Sequence, residues 1–318
     1  MKPTLNKIAI IAGLSLAVSC QSFFDEDPVY STTTDTFFNS ETALETYAIG
    51  FLEGHMPSAA TLTRGDQYSD ICVTTQTEGF LKTGGYSAQQ ANNWARGNWR
   101  PLYNVNYYLK HMKDAAPYVD DATMKHYEGV GRFWRAWFYW DKVKTFGDVP
   151  WYAKPLGSAD PELKRPRDSR EFVMQRMIED IDFAIFHLPT DRNIYRVTKW
   201  TALALKSRFC LFEGTFRKYH GIDGYEHDWK WYLEQAAAAA GEFITNSGYG
   251  LYTEGGTKVA YRDLFVAEEA QEIEIVLARD YSKSIGVFHN STFYSLNTSY
   301  AVSYTHLRAH ETLAKLVC

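Results

Sequence analysis

Cysteine is scarce here and badly placed for metal or redox chemistry. The four cysteines, Cys20, Cys72, Cys210 and Cys318, form no C-x-x-C and make no Cys/His pair at zinc spacing. A basic surplus is also missing. Against 38 Asp and Glu stand 33 Lys and Arg, a net charge of −5, so no phosphate-neutralising face is expected and nucleic acid is excluded as a partner. Polar low-complexity tracts are absent, which argues against disorder. Beyond the N-terminus every apolar stretch is interrupted by charge, leaving no segment able to span a bilayer.

What the chain has in quantity is aromatic side chains, 16% of its 318 residues, including 22 Tyr and 9 Trp. Core packing is the usual fate of any one ring, whereas an exposed flat ring can stack on a sugar face. The N-terminus is equally distinctive. Lys2 and Lys7 precede an apolar run from Ile8 to Val18, too short to cross a membrane and of secretory-signal form. Leu16-Ala17-Val18-Ser19-Cys20 resembles the box in which a bacterial lipoprotein is cut and its Cys acylated. An ordinary signal with an incidental Cys is the alternative. The small residue directly before the cysteine favours the lipoprotein, so residues 1–19 are read as the signal, Cys20 as the lipidation site and 20–38 as a tether. Cys72 and Cys210 can form a bridge or remain two buried thiols.

Helical periodicity then recurs. Leu44, Tyr47, Ala48, Phe51 and Leu52 follow Asn39-Ser40-Glu41, a helix start. A second run carries Trp99, Leu102, Val105, Leu109 and Met112, and a third starts near Asp120-Asp121 and stops at Phe146-Gly147. Asp168 with Glu171 predicts a capping box for a helix ended by Pro189. Thr198 opens a helix expected to close at Gly214, and Asp228 opens another closed by Asn246-Ser247-Gly248. Glu274–Ala278 reads as a short strand. The class is mainly α, and the rhythm of similar helices on short loops suggests stacked pairs.

Residues 55–95 differ in kind, rich in Thr, Gly, Gln and Asn and without a sustained period. Long irregular segments within folded proteins are often functional. This one carries Asp66, Asp70, Tyr86, Asn92, Asn93, Trp94 and Arg96. An aromatic face beside amides and a guanidinium can hold a pyranose ring and its hydroxyls; alternatively Trp94 packs beneath its loop. Asp66 and Asp70 can bond hydroxyls or join a calcium site, though paired loop carboxylates are more often solvated. Phe288, Asn290 and Tyr294 make a weaker aromatic-polar group. The His306/His310 pair lacks a third ligand, and no metal or other cofactor is expected. Trp134, Trp137, Phe138 and Trp140 lie on a strongly periodic helix and are assigned to the core.

An ordered set of motifs resembles the SusD/RagB family of Bacteroidetes outer-membrane lipoproteins. They are Cys20 with Phe24-Asp25-Glu26-Asp27-Pro28; Trp99-Arg100-Pro101-Leu102-Tyr103 with Asn106; and Arg132–Tyr139 leading to Phe146-Gly147-Asp148-Val149-Pro150. Asp180-Ile181 with Ala184 and Leu188-Pro189 follows, then Thr198–Leu205 and Asn246-Ser247-Gly248-Tyr249. The resemblance implies tetratricopeptide-like helical pairs carrying irregular ligand-binding loops over residues 39–301. It further implies a surface-exposed, lipid-anchored glycan-binding protein, not an enzyme, that serves a SusC-like TonB-dependent transporter in the outer membrane. A peptide-binding adaptor of the same fold is the alternative, with a glycoside hydrolase behind it, since nothing positions two carboxylates across one bond. Family members run longer, so a C-terminal portion is expected to be absent. Residues 302–318 resemble a translated sequencing-adapter fragment and are set aside as an artefactual tail.

Overall fold

Seven α-helices account for most of the described residues in a computed structural model that covers 37–58, 61, 94–267, 269–282 and 286–288, with the backbone of 316–317. The chain divides between Phe38 and Asn39, and all seven helices belong to the second unit. Helix α1 spans Glu41–His55 and is capped by Ser40, whose hydroxyl accepts from the Ala43 amide at 3.3 Å. Helix α2, Arg100–His111, buries Leu102, Val105, Asn106 and Tyr108. Helix α3, Asp121–Phe146, starts on an Asp120 cap and stops at Gly147, whose φ of 71° is a conformation that glycine tolerates. Its aromatic run is core, as its period requires: Trp134 is 1% exposed and Phe133 and Tyr139 are fully buried.

Helix α4, Arg170–His187, corrects an expectation. Its cap is Ser169, which accepts from the Phe172 amide, and not Asp168. Asp168 instead accepts from the Trp151 amide at 2.7 Å and pairs with Arg165, while Glu171 turns inward to Arg217. Helix α5, Lys199–His220, opens with a reciprocal Thr198/Thr201 capping box and ends before Gly221 at φ 60°. It runs straight through Gly214, where the sequence suggested a stop. A Cβ there would lie 2.8 Å from Leu233 and 3.0 Å from the Trp229 carbonyl, so this glycine serves close helix approach. Helix α6, Trp229–Asn246, starts on Asp228, which accepts from the Trp231 amide at 2.9 Å. A short helix α7, Ala260–Val266, appears where periodicity was weak. The expected strand shrinks to Ala278–Arg279, paired antiparallel with Leu316–Val317. Residues 274 and 275 turn back instead, both amides donating to the Gln271 carbonyl.

Neighbouring helices pack in sequence: α2 on α3, α3 on α4, α4 on α5 and, most extensively, α5 on α6, with α1 lying across α2 and α3. The mainly α class and its helical pairs are as the sequence implied. Polar joints fix the pairs. Asn106 donates to the Tyr152 carbonyl at 2.8 Å, and Arg135 holds Asp180 through bonds of 2.6 and 2.7 Å. Deeper, fully buried Glu213 receives Arg170 and Arg217, and Arg217 also reaches Glu171. Helices α4 and α5 meet on those charges. Each charge is paired, the condition under which buried ions are tolerated. Cys210 is a buried free thiol, so no bridge to Cys72 is made, and burial pushes its pKa up.

Candidate functional site

Trp94 opens the helical entry that becomes Arg96–Trp99, a 3-10 turn, and then α2. It is half-buried. Its ring meets Trp99 edge-to-face at 5.2 Å and Phe146 at 4.8 Å, so the α2 entry is clamped to the end of α3. The Arg167 guanidinium carbon sits 4.6 Å from the Trp94 ring centroid, within the range of a cation–π contact. The cluster continues inward, with Trp99 at 5.5 Å from Phe138 and 5.9 Å from Tyr152. Lys142, 3% exposed, lies 5.1 Å from the Phe138 centroid, and burial lowers its pKa. Arg96 is exposed on the entry turn itself.

The Trp94 ring packs, and it also remains partly open beside an exposed guanidinium. Aromatic surface with Arg167 against it, and exposed Arg96 two residues on, can hold an apolar ring face and hydrogen-bond the groups around it. The structure brings Trp94 and Arg96 together with Arg167, Phe146 and Lys142, which sequence reasoning did not single out. Arg167 had a faint signal in the basic run Lys164-Arg165-Pro166-Arg167, but nothing local placed it on Trp94. Asp66, Asp70, Tyr86, Asn92, Asn93, Asn290 and Tyr294 lie outside the described residues, as do Cys20 and the His306/His310 pair. Phe288 is described and is 63% exposed.

A second concavity lies near the opposite end of α3. Its volume is about 280 Å³, between α1, the first turns of α3 and the loop 189–198. Ala48, Leu52, Val130, Trp134 and Val197 line it, and Arg196 pairs with Glu45 at 3.0 Å on its rim. Burial lowers the pKa of His126 on its wall. Trp134 is almost wholly covered and presents no ring face to this cleft, where the partly buried Tyr195 also lines the wall. Tyr127 and Phe146 are 19 residues apart on α3, roughly 28 Å at helical rise, which separates the cleft from Trp94. Among the described residues no three His, Cys, Asp or Glu are placed to hold a metal ion, and no helix is long and apolar enough to cross a membrane.

With this geometry in hand, comparison with known proteins places the chain. A SusD-like family model, described as starch-binding associating with outer membrane, matches residues 22–211. The chain belongs to the SusD-like family. A curated relative, SusD-like protein P25 of Formosa agariphila, is 23% identical over 309 residues, covering 90% of this chain and 54% of the relative. A SusD-like protein of Bacteroides fragilis shares the fold at a TM-score of 0.62 and 22% identity, over 80% of this chain and 47% of that one. A further similar structure, solved with xylogluco-oligosaccharide, has a TM-score of 0.57 and 21% identity, over 80% of this chain and 49% of that one. The chain thus spans about half the length of the relatives it matches. At these identities the likeness carries the SusD-like fold.

Proposed function

We propose that this protein binds oligosaccharide at the outer membrane, held there by a lipid on Cys20, and passes it to a SusC-like TonB-dependent transporter. It acts by capture, without bond cleavage. The observation that carries the reading is the half-open Trp94 ring with Arg96 and Arg167 beside it, on a scaffold of a family described as starch-binding. The relative solved with xylogluco-oligosaccharide adds support from outside the chain. Among the described residues, Asp168 is engaged by Arg165 and the Trp151 amide, Asp148 by the Arg170 amide, and Asp141 by Lys144. A hydrolase would need two carboxyl groups free to flank one glycosidic bond.

Affinity chromatography on immobilised polysaccharides, followed by calorimetry on the ligand retained, tests this. Trp94→Ala is expected to weaken binding about tenfold or more, as truncation of a buried aromatic anchor does, while a cooperative thermal transition is kept. Equal affinity in variant and parent would remove Trp94 from the site. Product release from the oligosaccharide would replace capture with hydrolysis.

A further inference from the structure

Among the described residues nine of fourteen arginines are paired with carboxylates; of the other five, Arg192 rests on the Gly248 carbonyl and Arg208 against the Trp140 ring, and three fall close to Trp94. Arg132 and Arg135 meet Asp180, Arg165 meets Asp168, Arg170 and Arg217 share Glu213, and Arg176, Arg196 and Arg279 meet Glu179, Glu45 and Glu53. Around Trp94 that pattern breaks. Arg96, Arg100 and Arg167 are all exposed, and none has a carboxylate within 4.0 Å among the described residues. Arg96 and Arg100 sit on successive turns of the entry that begins at Trp94, and Arg167 rests on the Trp94 ring itself. The local acids cannot answer them, since Asp168 and Asp141 already carry Arg165 and Lys144. A single solvated arginine is ordinary. Three around one half-open tryptophan, in a protein of net charge −5, form a local positive site against the overall field.

We propose that the ligand captured here is an acidic glycan, bearing uronate carboxylates or sulfate esters, and not a neutral one. The inference rests on the capture reading above. Guanidinium groups present parallel N–H donors that match a carboxylate or sulfate edge, and such charge-assisted bonds are about twice as strong as those to a sugar hydroxyl. Trp94 supplies the face for the adjoining ring, and Arg167, held against that ring, meets the acidic substituent beside it. The guanidinium is thereby placed at a fixed point relative to the sugar plane, which a free surface arginine is not.

The test is a glycan array carrying neutral, uronate-bearing and sulfated oligosaccharides, probed with the full chain. Calorimetry on the tightest ligand follows, for parent, Arg167→Gln and Arg176→Gln. The expected result is preference for acidic over neutral glycans, with affinity falling as salt is raised. Arg167→Gln should lose roughly tenfold or more, as loss of a charged hydrogen bond implies. Arg176→Gln, altering an arginine paired on α4, should match the parent. Preference for the uronate or the sulfate arm names the acid. Neutral glycans bound at least as tightly, with Arg167→Gln equal to the parent, overturn the proposal and leave capture standing. Binding to nothing on the array overturns capture as well.

Discussion

His55 closes α1 with its Nδ1 2.9 Å from the Phe51 carbonyl, and its Nε2 is buried with no hydrogen-bond partner. It is one of four histidines that end helices with an aromatic residue four positions earlier. The others are His111 with Tyr107, His187 with Phe183 and His220 with Phe216, at ring distances of 4.5, 4.3 and 4.3 Å. Four residues bring the rings onto one helix face, and a histidine there can donate its ring N–H to the carbonyl four residues back, as His220 does to Phe216 at 2.9 Å. His55 differs by being wedged 5.0 Å from Trp134, and burial lowers its pKa to about 4. The unfolded chain takes a proton near pH 6.5 that the folded ring refuses. Stability is therefore full above about pH 6.5 and falls as pH drops towards 4, by as much as ~3 kcal/mol from this group. His126, also lowered by burial, adds to the slope with the same sign. Urea midpoints measured across that range should fall less steeply for His55→Phe than for the parent. Parallel slopes would mean that the ring titrates freely in the folded state.

Between helices, the contest is propensity against packing, and Gly214 decides it for α5 and α6. Alanine is about 1 kcal/mol better than glycine inside a helix. Here the added methyl would meet both Leu233 and the backbone carbonyl of Trp229, and a carbonyl in a helix cannot swing aside as a side chain can. Overpacking of this kind costs ~1–3 kcal/mol. Gly214→Ala is therefore expected to lower the thermal midpoint despite its better propensity, and a raised midpoint would show that α6 can shift to make room. The same glycine explains why the helix end was misread. A glycine at the end of an apolar period is a stop signal locally, and only a neighbouring helix reveals that it is an approach site. Asp168 was misread for a similar reason, since its real partners, Arg165 and the Trp151 amide, sit outside the helix it seemed to open. Helix periods and the caps at Ser40, Asp120, Thr198 and Asp228 were legible because their causes lie within four residues.

At the scale of the whole molecule, the motifs that revealed the family turn out to be its joints. Asn106, Arg135, Asp148 and Asp180 bond backbone or one another between elements, Thr198 caps its own helix, and Trp99 and Phe146 from the same motifs pack on Trp94. The scaffold could be read from sequence for that reason; of the residues that the sequence proposed for capture, Trp94 and Arg96 are the two among the described residues. Arg167 reaches Trp94 from 73 residues away, a contact that no local pattern encodes. Attachment is the other property of the whole chain, and the proposed function rests it on Cys20. Among the described residues no helix is long and apolar enough to cross a membrane. Each buried methylene contributes about 0.8 kcal/mol, so one chain binds reversibly and two or more hold fast. Cys20→Ser, expressed with its own signal in a Bacteroidetes host, is therefore expected to move the protein from the membrane fraction to the soluble one, with the helical fold unchanged by circular dichroism. Retention of the variant in membranes at the parent's yield would place the anchor elsewhere, for which a partner already embedded in the membrane is the alternative, and stripping the membranes with high salt would then release it.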